Sequence, residues 1–228
     1  MTAQVDHLVI AASTLDEGVA WCERTLGMTP GPGGEHPLMG THNRLFSIAT
    51  KQYPTAYFEI IAINTGAVCP RHALPKSWFD LDSASLQRQL KAGGPQLVHF
   101  VASTTPVRAA VSALNQVGID RGEVLQASRM TARGLLSWQI TVRPDGQRLM
   151  NGTLPTLIEW GDVHPTMHME ASGVTLQSLT ACQPEPSGLL GAYAAIDLRR
   201  VKVVTGPPNL MATLQTPRGE VTIESKGI

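Results

Sequence analysis

One histidine sits inside an apolar run twice in this chain of 228 residues, in Val5-Asp6-His7-Leu8-Val9-Ile10-Ala11-Ala12 and again in Leu97-Val98-His99-Phe100-Val101-Ala102-Ser103. Each run is followed by helix-like sequence that ends near a glycine. Further on, another apolar run carries a single glutamate: Glu59 in Phe58-Glu59-Ile60-Ile61, 52 residues after His7 (59 − 7), and Glu159 in Leu157-Ile158-Glu159-Trp160, 60 residues after His99 (159 − 99). A repeat of this size means that the chain is built from related modules. A doubled His/Glu pair is the pattern expected of a metal site shared between them.

The local signals agree on one unit. Leu8 to Ala12 reads as a buried strand, and Thr14 with Glu17 three residues on forms a capping-box pattern that starts a helix running to Arg24, with Gly27 after it. The Gly- and Pro-rich stretch from Thr29 to Asn43 reads as a loop, and Arg44–Ala49 and Ala56–Ile63 read as paired strands. Residues 1–64 thus form a strand, helix, strands module. Residues 65–95 form a connector with Pro70, Pro75 and a short helix over Ser83–Ala92. Residues 96–165 repeat the order: a strand at Leu97–Ala102, a helix over Pro106–Val117, and strands at Val124–Ala127, Leu135–Val142 and Thr156–Trp160.

Residues 166–228 read as a third, partial copy, with a strand at Val174–Ala181, a helix over Pro186–Ile196 and three short strands up to Glu224. Aligning Leu176–Ala181 with Leu97–Ala102 puts Ser178 where the other copies have histidine. Histidine is therefore not needed to build the strand, which makes His7 and His99 the stronger half of the signal. The glutamates are weaker, because Thr222-Ile223-Glu224 matches Leu157-Ile158-Glu159 in place.

Composition narrows the function. The chain is 43% hydrophobic and 16% charged, enough to bury a full core, and its formal net charge is zero. With no Lys/Arg cluster, a nucleic acid or an anionic membrane is not an expected partner. Three scattered cysteines (Cys22, Cys69, Cys182) give neither a disulfide framework nor a thiolate metal site. The N-terminus enters an apolar strand directly and reaches Asp16 and Glu17 too soon for a signal peptide or a span. A cytoplasmic setting fits.

These residues carry a resemblance. His7 in a first strand, Glu59 in the last strand of its module, and the same pairing at His99 and Glu159 resemble the vicinal oxygen chelate superfamily of glyoxalase I, extradiol dioxygenases and bleomycin-resistance proteins. More narrowly, Asp6-His7-Leu8-Val9, the loop from Gly34 to Asn43, Phe58-Glu59-Ile60-Ile61-Ala62 and Leu154-Pro155-Thr156-Leu157-Ile158-Glu159-Trp160-Gly161 resemble a glyoxalase-like domain family within it. The likeness covers nearly the whole chain and bears on architecture more than on substrate. It implies an α+β fold in which two βαβββ modules curl into a cup-shaped mixed sheet. It also implies a divalent metal held in the cup by His7, Glu59, His99 and Glu159. Strand alternation places Val5, His7 and Val9 on one side, and Tyr57, Glu59 and Ile61 likewise. Nitrogen and oxygen donors of this kind suit Zn, Fe, Mn, Ni or Co.

A lone carboxylate in an apolar run needs a partner, whether a metal, an arginine or water, because burying it unpaired costs several kcal/mol, of the order given for unpaired buried charge. The loop His36-Pro37-Leu38-Met39-Gly40-Thr41-His42-Asn43-Arg44 is the second constellation. Its His36, His42, Asn43 and Arg44 are expected substrate contacts, with His42 and Arg44 orienting an oxygen-rich or anionic molecule; the plain alternative is a solvated connector. Trp138 and Trp160 either wall the cup or are ordinary core. His164-Pro165 and His168 follow the Glu159 strand, where a lid or supporting role is a weaker suggestion.

The function expected is a metal-dependent isomerase or lyase of glyoxalase type, with Glu159 or Glu59 as base acting on a small oxygen-rich substrate. Two alternatives stay open: extradiol ring cleavage with ferrous iron, and a metal-free protein that sequesters a ligand in the cup. A second copy of the chain is a candidate partner.

Overall fold

The computed structural model describes residues 2–66, 76–131 and 134–227. Cys69, Pro70 and Pro75 of the connector lie outside the described residues. The first module runs β1 (Gln4–Ala11), α1 (Leu15–Leu26), β2 (Glu35–His36), β3 (Thr41–Ser47) and β4 (Tyr57–Ile63). The capping box forms as read: the Thr14 side chain accepts from the Glu17 backbone N–H, and Gly27 closes α1 in the left-handed region at φ 74°. A connector helix, α2 (Ala84–Gly93), leads to β5 (Gln96–Ser103), α3 (Val107–Gln116), β6 (Glu123–Thr131), β7 (Gly134–Val142) and β8 (Thr156–Trp160).

These eight strands form one curled sheet in the order β2-β3-β4-β1-β5-β8-β7-β6. Each module closes in the same way. Its first strand lies parallel to its last, β1 beside β4 and β5 beside β8, and the modules meet where β1 and β5 run antiparallel.

The C-terminal stretch continues as β9 (Thr175–Gln183), α4 (Ser187–Ala195), β10 (Val201–Thr205), β11 (Asn209–Thr216) and β12 (Gly219–Glu224). It keeps the strand, helix, strands order but pairs differently. Here the strand directly after the helix lies parallel to the first, giving a separate sheet ordered β10-β9-β11-β12. Glu224 therefore stands on an edge strand beside β11, in a place that matches neither Glu59 nor Glu159.

The two faces of the large sheet bury different things. Leu8, Ile10, Phe58 and Ile60 pack outward with Cys22 and Leu26 of α1, Ala110 and Leu114 of α3, and the small sheet, in one continuous apolar core. Val9, Ala11, Ile61, Val101, Ile140 and Ile158 pack on the inner face. Half of that inner face is plugged by the connector, whose Trp78, Phe79, Leu81, Leu86 and Leu90 join the inner cluster. The plug covers the side of His99, since the Phe79 ring lies 5.2 Å from the His99 ring.

Candidate active site

His7 faces the inner side because a bulge intervenes at Asp6. In the β1/β5 ladder Val5 pairs with Ala102 and His7 with Val101, so the alternation skips between them. Val5 consequently joins the outer core, against the expectation that it shares a side with His7. The bulge also leaves the Asp6 carboxylate fully buried beside the imidazole.

Three donors converge on that carboxylate. His7 Nδ1–H donates to Asp6 Oδ1 at 2.7 Å. Trp160 Nε1–H and His164 Nε2–H both donate to Oδ2 at 3.0 Å, while His164 Nδ1 accepts from the backbone N–H of Thr166. Burial alone would raise the Asp6 pKa. The hydrogen bonds from His164 and His7 more than offset it, bringing the value down to about 2. Asp6 is thus an anion that fixes the His7 tautomer and leaves the lone pair on Nε2.

Nε2 of His7 points into the cup, 3.7 Å from Glu59 Oε2. Glu59 shares this face with Tyr57, as the alternation of β4 predicts, and the Tyr57 ring stacks on His7 at 4.4 Å. Glu59 Oε1 accepts the Asn43 side-chain amide at 2.6 Å, and Asn43 Oδ1 in turn accepts the Gly34 backbone N–H at 2.7 Å. His36 closes this corner: its ring packs edge-on against Trp78, and enclosure together with Arg129 pushes its pKa down to about 3, so it is neutral. Burial, with the Asp6 and Glu59 carboxylates close by, holds the Tyr57 hydroxyl protonated well above its ordinary range.

The cavity these groups border measures about 30 Å³, and Trp138, Trp160, Leu136 and Ile158 wall it. A wider groove of about 890 Å³ adjoins it, sharing Leu45, Arg129, Leu136 and Pro165.

The structure brings together His7, Glu59, His36, Asn43, Trp138 and Trp160 of the expected set. It does not bring in the others. His42 and Arg44 alternate with Asn43 and Leu45 along β3 and so lie on the opposite face, Arg44 exposed. Glu159 alternates with Ile158 and Trp160, which face inward. Its Oε2 accepts the backbone N–H of Val107 at 2.8 Å and caps α3 on the outer side. His99 faces inward but is fully buried with both ring nitrogens engaged. Nδ1–H donates to the Gly152 carbonyl at 2.9 Å, and Nε2 accepts the Thr156 N–H at 3.0 Å. Burial holds this imidazole neutral, well below the ordinary histidine range.

A four-donor metal centre is therefore not assembled, and among the described residues no three His, Cys, Asp or Glu side chains are grouped to hold an ion. The lone pair of His99 is spent on a backbone N–H, and Glu159 is across the sheet. The two-histidine, one-glutamate set of the ring-cleavage alternative fails for the same reason. The residues present do not fit a resident metal held by this chain's own side chains.

The model of the glyoxalase-like domain matches residues 5–196. The chain belongs to the glyoxalase-like domain family. Among solved structures, this family member resembles a hypothetical protein from Staphylococcus aureus at 14% identity and a TM-score of 0.60, covering 97% of this chain and 85% of that one. It also matches a Streptomyces coelicolor methylmalonyl-CoA epimerase variant in complex with 2-nitronate-propionyl-CoA, at 17% identity and a TM-score of 0.43, over 70% of this chain and 96% of that one. No curated protein matches. The first of these likenesses shows the fold. Among the described residues, no helix is long and apolar enough to cross a membrane.

Three members of the site carry no chemistry in the sequence reading: Tyr57, which strand alternation places beside Glu59 without a role, Asp6 and Arg129. Asp6 is adjacent to His7, but strict alternation would have sent it to the opposite face. Arg129 sits on β6 in register with Leu136, and only the strand phase set by Leu125, which packs on the inner cluster, would have shown it to be inward.

Proposed function

We propose that the cup is the active site of a glyoxalase-like isomerase or lyase that moves a proton on a small oxygen-rich substrate, with His7 as the base. One observation carries this reading: Asp6 fixes the His7 imidazole so that Nε2 presents its lone pair to a walled cavity. An imidazole held in this way by a carboxylate is a general base whose positive form is stabilised as soon as it forms. Asp6 at 2.7 Å and Glu59 at 3.7 Å both face the resulting imidazolium.

The step is removal of a proton from a carbon next to a carbonyl. The C–H electron pair passes into an enediolate, and His7 Nε2 takes the proton. The protonated Tyr57 hydroxyl is the neutral donor available on that side of the cavity for the developing oxyanion. Returning the proton to the neighbouring carbon, while the hydroxyl proton passes from one enediolate oxygen to the other, completes an isomerisation; departure of a leaving group from the neighbouring carbon instead completes a lyase reaction. The Trp138 and Trp160 walls limit water at the enediolate.

The test is exchange in heavy water. A panel of 2-oxo and 2-hydroxy aldehydes, ketones and acids is incubated with the protein, and loss of the C–H signal is followed by proton NMR. Wild type is expected to exchange at least one class, and His7→Ala to lose about a hundredfold or more of that rate. A wild type inert across the panel, or a His7→Ala variant that exchanges normally, overturns the reading. Tight binding without any exchange would instead make the protein a sequestering module.

A further inference from the structure

Among the described residues, Arg129 is the one charged group lining the cup that the proton-transfer step leaves unused. It enters from β6, paired with Leu136, and borders both the inner cavity and the wider groove. Its Nε and Nη1 are buried, and among the described residues neither has a hydrogen-bond partner. Glu35 and Glu170 also border the groove but accept nothing from these two nitrogens. Guanidinium N–H groups taken out of water without an acceptor are costly, and folded proteins rarely leave them so. Space for the group is made by a glycine: a Cβ on Gly34 would lie 1.4 Å from Nη1.

The geometry points to Arg129 as the anchor for the carboxylate of an amphipathic 2-oxygenated acid, its reacting carbon in the cup beside His7 and its apolar tail in the groove. A guanidinium offers parallel N–H groups that match a carboxylate's two oxygens. The cavity beside His7 holds only about 30 Å³, room for the reacting end of a molecule and little more. The rest must continue past Arg129 into the groove of about 890 Å³, where Met130 and Leu135 stand 74% and 59% exposed with Met28 and Met169 nearby. Exposed apolar side chains gathered along a groove beside a cation suit a tail of several carbons attached to an acid.

This inference rests on the cup being a substrate site, yet its test fails separately from that of the proton transfer. Binding of 2-hydroxyoctanoate, of its primary amide and of glycolate is measured by tryptophan fluorescence, since three tryptophans line the cavity, and confirmed by calorimetry. Wild type is expected to prefer the eight-carbon acid over its amide by about tenfold or more, the range of a charge-assisted pair, and over glycolate by a similar factor. Arg129→Met should bring the acid/amide ratio close to one, Arg129→Lys should leave an intermediate ratio, and Glu159→Gln, on the outer side of the sheet, should keep the wild-type ratio. Near-ultraviolet circular dichroism verifies that each variant keeps its packing. An acid/amide ratio near one in wild type, a ratio unchanged in Arg129→Met, or no binding of any of the three overturns the proposal. Acid preference without proton exchange would retain the anchor and remove the enzyme.

Discussion

The backbone N–H of Thr156 donates to Nε2 of His99 at 3.0 Å. By sheet register, Thr156 is the counterpart of Glu59. Val9 stands beside Glu59 in the first module, and Val101 stands beside Thr156 in the second. A carboxylate near His7 thus becomes a threonine near His99, itself held by Arg121, which donates to its hydroxyl and to the Pro155 carbonyl. The duplicated sheet has one half open and polar and the other plugged by the connector.

His99 is accordingly expected to be structural. His99→Ala removes a fully buried ring and orphans the Thr156 N–H and the Gly152 carbonyl, at a cost of about 3 kcal/mol from the cavity and the unmet bonds together. Urea unfolding should show that loss, while proton exchange per folded molecule stays within a few-fold of wild type. Exchange falling as far as in His7→Ala would place His99 in the chemistry.

Asp6 ties the site to acid stability. Its folded pKa of about 2 lies below the ordinary value of 3.8. The stabilisation is therefore fully present above about pH 4 and is lost as the pH falls through about 2; its size is about 2 kcal/mol from the depression alone. Asp6→Asn should be less stable at neutral pH and should lose less stability between pH 4 and pH 2 than wild type does. It should also slow exchange by about a hundredfold, because His7 then has no anion to hold its tautomer. Parallel acid unfolding curves for the two proteins would refute the assignment.

The legibility of the site followed strand phase. Alternation in β4 correctly paired Tyr57 with Glu59, and capping signals located α1, because both depend on neighbours in sequence. The match between Glu59 and Glu159 was drawn from similar apolar strings, with spacings of 52 and 60 residues. The loops between first and last strand differ in length, so neither string nor spacing transfers, and only the parallel register identifies Thr156. The bulge at Asp6 and the inward phase of Arg129 belong to cross-strand pairing that no single segment encodes. The small sheet shows the same limit: its element order was readable, and its pairing was not.

The outward position of Glu159 can be checked directly. Its carboxylate accepts the Val107 N–H at the start of α3, so Glu159→Ala should cost about 1 kcal/mol of stability, the usual value of a lost helix cap. Glu159→Gln, which keeps an acceptor, should cost less. Both should exchange protons at the wild-type rate, and a loss of exchange in Glu159→Gln with stability intact would return Glu159 to the site.

Gly34 tests the anchor without altering its charge. The Gly34 backbone is fixed by Asn43, which accepts its N–H through Oδ1 and donates its own backbone N–H to the Gly34 carbonyl. Gly34 is not among the glycines with positive φ, so alanine is compatible with its backbone. The added methyl collides only with the far end of Arg129, a flexible side chain that swings aside at small cost, since the nearest atoms are Nη1 at 1.4 Å and Cζ at 2.5 Å. Gly34→Ala should therefore keep its melting temperature within a few degrees of wild type, in line with the small cost of displacing the far end of a flexible side chain that makes no hydrogen bond through Nε or Nη1 among the described residues. It should nevertheless lose most of the preference for 2-hydroxyoctanoate over its amide. Full preference in a folded Gly34→Ala protein would mean that the guanidinium does not work from the position it holds against Gly34.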